Sequence, residues 1–170
     1  MDEAIRLRTT DPGQTQQAAA ALAGLFEPGD VVVLSGELGA GKTCFVQGAA
    51  GALGVEGRVT SPTFTLVRTY PTARIPVVHC DVYRLNRLHD VFDLGDEVFA
   101  PDVVTFVEWG DAIGPLLPPD RLEVDIVLED PTRAEGSRLV HLRGHGRWRG
   151  LREHMIERCS DWIVEEGTGC

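Results

Sequence analysis

The stretch Gly36-Glu37-Leu38-Gly39-Ala40-Gly41-Lys42-Thr43 limits what this chain can fold into more than any other feature. Its glycines let the main chain reverse sharply and turn successive N–H groups inward without Cβ clashes. The run before it, Val31-Val32-Val33-Leu34-Ser35, is unbroken and β-branched, as a strand buried on both faces should be. The run after it, Thr43 to about Leu53, reads as a helix, with Gly54 as its C′ residue. Strand, glycine turn and helix in that order form the first half of a βαβ unit. The pattern G-x-x-x-x-G-K-[ST] arises by chance in about one such chain in a few hundred. Its position between a buried strand and a helix argues against a plain glycine-rich turn. Each part meets one need of a phosphate chain: inward amides, a helix dipole aimed at the anion, an ammonium, and a hydroxyl for a hard metal ion. Lys42 is also the only lysine among sixteen basic residues. A compact ammonium suits phosphate where the sequence elsewhere prefers guanidinium.

Around this unit, strands and helices alternate. Ile5 to Arg8 reads as a short edge strand. Asp11 then N-caps an alanine-rich helix that has Pro12 at its first position and runs to about Leu25. Further strands are expected at Phe64 to Tyr70, Ile75 to Cys80 and Val103 to Val107, with a helical or irregular stretch from Asn86 to Phe99. Leu122, Val124, Ile126 and Leu128 alternate with charged residues, which predicts a half-exposed strand. A polar turn from Glu129 to Gly136 leads to an antiparallel mate, Arg138 to Leu142. A final amphipathic helix is expected from about Trp148 to Ile163. The pattern predicts an α/β fold of the P-loop NTPase-like three-layer kind, its central sheet mostly parallel and made mixed by the last hairpin. All 170 residues are read as one domain.

The formal charge of −10 argues against a surface that grips nucleic acid throughout. An acidic chain can hold a polyanion only by local devices, which makes the glycine loop more informative. Six arginines from Arg138 to Arg158 make the tail locally basic, the one place where a direct RNA-phosphate contact can be suggested. A solvated helix face is the plainer reading. Cys44, Cys80, Cys159 and Cys170 lack metal-ligand spacing and suit a reducing cytosol. No apolar run reaches the roughly 20 residues of a bilayer span. The start, Met1-Asp2-Glu3-Ala4-Ile5-Arg6, is not expected to be a secretory signal. A cytoplasmic protein is expected.

The loop calls for ATP and Mg²⁺, and the metal calls for a carboxylate at the end of a neighbouring strand. Asp81 and Glu108 both end apolar runs. Glu108 follows the more uniform run and is favoured for the metal; Asp81 is then a second partner or positions the attacking water. Thr43 supplies the metal-facing hydroxyl. Ser61, Thr63 and Thr65 lie where a nucleotide-sensitive switch could sit, or in an ordinary turn entering a strand. His79 reads as a satisfied core histidine. Tyr83, Arg84 and Trp109 fit core, surface or ligand roles equally. Arg133, in the hairpin turn, could reach over a nucleotide, though a solvated arginine is the simpler reading.

Four segments in this order, Gly36–Thr43, Ser61-Pro62-Thr63-Phe64-Thr65-Leu66-Val67, His79-Cys80-Asp81-Val82-Tyr83-Arg84-Leu85 and Val107-Glu108-Trp109-Gly110, resemble the TsaE (YjeE) family. These are bacterial ATPases of tRNA threonylcarbamoyladenosine biosynthesis. The resemblance runs from about residue 9 to 143. It implies nucleotide binding by Gly39, Ala40, Gly41, Lys42, Thr43 and Cys44, with Asp11 and Arg133 at the periphery. It also implies Mg²⁺ on Thr43 and Glu108, catalytic roles for Lys42, Asp81 and Glu108, and a switch at Ser61, Thr63 and Thr65. Partners resembling TsaD and TsaB are implied, with hydrolysis resetting their assembly and slow turnover by the chain alone. The chain departs from the family pattern at Asn86 to Val91, which lacks the usual acidic run; Asp93-Leu94-Gly95 restores the register. Two alternatives are a small nucleoside or metabolite kinase, which the lack of an arginine-rich lid disfavours, and an assembly factor that binds ATP without turnover.

Overall fold

The computed structural model describes residues 4–62, 65–71, 74–83 and 94–164, the side chains at 111 and 112 excepted. Thr63, Phe64, Arg84, the departure at Asn86 to Val91, Asp93 and Cys170 lie outside the described residues. Seven strands form one sheet: β1 (Ile5–Thr9), β2 (Val31–Ser35), β3 (Val67–Tyr70), β4 (Val77–Asp81), β5 (Val104–Glu108), β6 (Arg121–Leu128) and β7 (Arg138–His145), in the order β1-β7-β6-β2-β5-β4-β3. The four central strands, β6, β2, β5 and β4, are parallel. β7 and β3 flank them antiparallel, and β1 pairs antiparallel with β7 at the outer edge. The α/β class and mixed sheet are as the sequence implies.

β2 sends Val32 and Leu34 to one face and Val31 and Val33 to the other. Both cores therefore meet on the strand that delivers the glycine loop. The first face is covered by α1 (Pro12–Ala23) and α2 (Lys42–Ala52). Asp11 caps α1 by accepting from the Gln14 amide at 2.9 Å, with Pro12 in the first turn. The second face is covered, among the described residues, by the turns around Leu94, Val98 and Phe99 and a 3₁₀ segment, Gly110–Leu116.

Two expectations change. The strand expected from Phe64 begins at Val67, because Leu66 takes a left-handed φ of 66° in a turn closed by its amide on the Pro62 carbonyl. The continuous helix expected from Trp148 to Ile163 is broken into α3 (Arg147–Gly150), α4 (Arg152–Arg158) and a 3₁₀ turn, Ser160–Trp162. The break comes where Leu151 and Cys159 leave helical geometry, with ψ of 4° and 16°. Tertiary anchors fix the pieces separately. Trp148 is fully buried edge-on to Phe26, 5.5 Å between ring centroids. Arg147 donates to both carboxylate oxygens of buried Asp30 and to the Leu25 carbonyl. Burial pushes the Cys80 and Cys159 thiols up to about 12, consistent with inert core sulfur. No described helix is long and apolar enough to cross a membrane.

Candidate functional site

The loop leaves β2 at Gly36, whose φ of 140° only glycine adopts without strain. A Cβ there would lie 2.4 Å from the Ile126 carbonyl of the neighbouring strand. Gly41, at φ 116°, opens α2 without any side-chain cap. Gly41 thus brings no side chain to cap the first turn of α2, which is the arrangement that receives an anion.

Lys42 curls back over the loop. Its Nζ donates to the Gly36 carbonyl at 2.6 Å and the Glu37 carbonyl at 3.1 Å, and stands 3.9 Å from the Trp109 ring centroid. These contacts hold the only ammonium side chain at the mouth of the loop. Trp109 reaches it because its own φ of 62° turns the chain immediately after β5. Tyr83 packs against Trp109 at 4.8 Å. Two residues without a single reading in sequence therefore stand beside the loop.

β4 and β5 run parallel with Asp81 opposite Glu108, so both carboxylates emerge at the same sheet edge as the loop. Thr43 Oγ1 donates to Glu108 Oε1 at 2.6 Å. Ser61 Oγ lies 3.4 Å from Asp81 Oδ2 and 3.4 Å from Glu108 Oε2. Asp81 Oδ1 accepts the Tyr83 amide at 2.9 Å. Buried His79 stands behind this pair, its Nε2 3.5 Å from Glu108 Oε2. Neither ring nitrogen makes a formed hydrogen bond among the described residues, so the contact is electrostatic and His79 is not the satisfied core residue expected. Burial pushes the Glu108 carboxyl up, but the neighbouring His79, the Thr43 hydroxyl and the Lys42 charge outweigh it and hold it below its ordinary value. Hydroxyl and carboxylate oxygens are the donors a hard, small cation takes, and they suit Mg²⁺ rather than a thiolate-binding metal. Among the described residues no cluster of three His, Cys, Asp or Glu forms an all-protein metal cage. Mg²⁺ at a phosphate site does not need one, because water and phosphate complete its shell.

Of the other expected residues, Cys44 is half-buried and donates its Sγ–H to the Pro12 carbonyl at 3.2 Å. That contact brings the start of α1, with Asp11, beside the start of α2. Ser61 joins the site. Thr65 is exposed in the turn before β3. Arg133 is exposed in the hairpin turn. Among the described residues, the guanidinium that does reach the loop is Arg138, buried at the first position of β7, with Nε 3.1 Å from the Ala40 carbonyl and Nη2 3.3 Å from that of Gly39. Sequence reasoning read His79 as a core histidine and counted Arg138 only among the tail's arginines, placing neither at the site. Their only signal was a polar residue at an inward position of an apolar strand.

A parallel sheet whose β2 runs through a glycine loop into α2, with two carboxylates on adjacent strand ends, defines the P-loop NTPase-like class. The model of the family described as threonylcarbamoyl adenosine biosynthesis protein TsaE matches residues 9–137. The TsaE protein of Bacillus subtilis is 42% identical over 123 residues, 72% of this chain and 77% of that protein. The TsaE protein of Streptomyces coelicolor is 44% identical over 131 residues, 75% of this chain and 88% of that protein. The crystal structure of Bacillus subtilis YdiB superimposes with a TM-score of 0.74 at 33% identity, covering 92% of this chain and 97% of that one. The chain belongs to the TsaE family, whose members take part in tRNA threonylcarbamoyladenosine biosynthesis.

Proposed function

We propose that this protein is a Mg²⁺-dependent ATPase of the cytoplasm that acts in threonylcarbamoylation of the tRNA adenosine beside the anticodon. It works with TsaD- and TsaB-like partners and resets their assembly after turnover. The observation that carries the reading is the convergence of Lys42, Thr43 and Glu108 at the mouth of the loop, with Thr43 and Glu108 in direct contact at 2.6 Å.

The loop amides and the α2 N-terminus bind the phosphates, with Gly39, Ala40, Gly41, Thr43 and Cys44 as the nucleotide-facing stretch. Asp11 and Arg133 lie at its periphery. Lys42 leaves its two carbonyl acceptors and turns to the β and γ oxygens, exchanging neutral hydrogen bonds for charge-assisted ones. Thr43 and Glu108 would hold Mg²⁺, which supplies charge neutralisation on the β and γ phosphates. Asp81, opposite Glu108 in the register, accepts a hydrogen bond from the attacking water and orients it. Ser61, within 3.4 Å of both carboxylates, reports phosphate occupancy to the segment that includes Thr63 and Thr65. No arginine finger is assignable from the sequence, which fits slow turnover until partners engage.

Depletion of the protein, followed by mass spectrometry of tRNA nucleosides, tests the pathway. Loss of threonylcarbamoyladenosine is expected; an unchanged level overturns the reading. Rescue by wild type, but not by Lys42→Ala or Glu108→Gln, ties the defect to nucleotide chemistry. Release of inorganic phosphate from ATP by the purified chain separates hydrolysis from phosphoryl transfer to a small molecule.

A further inference from the structure

We propose that Arg138 is a second fixed cation of the phosphate site, a positioning residue built beneath the loop rather than reaching over it. The inference rests on the proposed nucleotide-binding function.

Four main-chain carbonyls surround the guanidinium. Nε donates to Ala40 at 3.1 Å, Nη2 to Gly39 at 3.3 Å and to Ala134 at 2.6 Å, and Nη1 to Gly136. Two of these acceptors belong to the glycine loop and two to the β6–β7 turn. A Cβ placed on Gly41 would lie 4.0 Å from Arg138 Nε, so the charge sits against the first residue of the α2 N-terminus.

No carboxylate among the described residues pairs with it. Arg8, Arg121, Arg143 and Arg147 each have one, in Glu129, Glu123, Glu123 and Asp30. Those four are partly exposed, and Arg138, the most buried of the five, is the one without. Carbonyl dipoles solvate a buried cation without neutralising it, and an uncompensated buried charge is costly unless something else supplies the counter-charge. In a chain of net charge −10, a carboxylate could readily have been placed there. An anion in the loop supplies the missing charge from the other side of the peptide planes.

The same contacts orient the loop. In a trans peptide the carbonyl of one residue and the amide of the next point opposite ways. Holding the Ala40 carbonyl on the β7 side therefore directs the Gly41 amide away from β7. Arg138 thus acts on the anion twice, by its field and by the direction of an amide. Both effects fall on the phosphates nearest the loop, so a diphosphate feels them as much as a triphosphate does.

Calorimetric titration of the full chain with Mg-ADP, and separately with magnesium pyrophosphate, tests this well below the unfolding midpoint. Wild type is compared with Arg138→Gln, which keeps a donor without charge, and Arg138→Lys, which keeps charge without the fork. A unit charge within about 10 Å of the phosphates, at an effective dielectric near 20, predicts a loss of about tenfold to thirtyfold in affinity for both ligands in Arg138→Gln. Most of it returns in Arg138→Lys. A purely structural brace lowers the ligand-free melting temperature of Arg138→Gln and leaves both affinities unchanged, which overturns the proposal. Equal losses in the Gln and Lys variants also overturn it. Should Arg138→Gln fail to fold, Arg138→Lys against wild type decides, since a tenfold loss there is incompatible with a role through charge. A wild-type chain that binds neither ligand overturns the nucleotide-binding reading as well, a failure distinct from the others.

Discussion

Gly36→Ala is the sharpest test of how the fold presents the loop. The added Cβ would lie 2.4 Å from the Ile126 carbonyl oxygen, inside the 3.0 Å below which Cβ atoms are not found. Ile126 is paired with Val140 on one side, and Leu34 and Ser35 pair with its neighbours Val124 and Asp125 on the other. The oxygen cannot move without disturbing both pairings. The backbone adds its own penalty at φ 140°, a region that side chains enter at about 1–3 kcal/mol. Overpacking against a fixed strand adds about 1–3 kcal/mol, so a total near 4 kcal/mol is expected. Gly39→Ala is the internal control, because its φ of 81° carries the backbone strain while nothing lies within 4 Å of the new Cβ. It should cost about 1 kcal/mol. Urea unfolding followed by circular dichroism reads both, and the melting temperature of Gly36→Ala should fall by about 10 °C. Because the Gly36 carbonyl also accepts from Lys42, Mg-ATP affinity should fall further than in Gly39→Ala. Equal stability losses in the two variants would refute the argument, since they would show that β6 yields freely at Ile126.

Within α2, Gly51→Ala should stabilise by about 1 kcal/mol, because the position is open and helical. Gly48→Ala should destabilise by about 2 kcal/mol, since its Cβ would meet the Gln16 main chain of α1 at 2.2 Å; denaturant melts of the pair read the opposite signs. Trp148→Ala should cost about 3–5 kcal/mol by emptying the pocket against Phe26, which thermal unfolding measures. Glu108, held below its ordinary 4.5 by its neighbours despite burial, contributes stability that is complete above that value and lost as pH falls through its depressed folded value. Wild type should therefore lose stability more steeply than Glu108→Gln from about pH 5 downward, and parallel acid-unfolding curves would contradict this.

The parts of the fold legible in sequence are those where local pattern and tertiary environment agree. The β-branched run at 31–35 is a strand because it is buried on both faces, and alternation in β6 survives because one face meets the core while Arg121, Glu123 and Asp125 meet solvent. The segment from Trp148 shows the opposite case. Its apolar residues repeat with helical spacing, yet Trp148, Met155 and Cys159 are each pinned to the core, and Arg147 is held by Asp30, more than a hundred residues away in sequence. Periodicity carries no information about which distant group fixes each turn.

The site divides along the same line. Gly36 to Thr43 is readable because a phosphate loop is built from consecutive residues whose chemistry shows in their spacing. Glu108 and Asp81 are readable more weakly, as acids that end apolar strands. Arg138 and His79 lie behind the loop and behind Glu108, and what defines them is the absence of an ordinary partner among the described residues: a guanidinium given only carbonyls and an imidazole left beside a carboxylate without a formed hydrogen bond. An arginine opening one strand and a histidine inside another look in sequence like any polar residue in a sheet. Only the parallel pairing of β4 with β5, and the folding of β7 back along β6, bring them beneath the loop and beside Glu108. The sequence of a P-loop protein thus displays the loop itself, while the side chains packed beneath it become visible only when strands far apart in the chain are laid side by side.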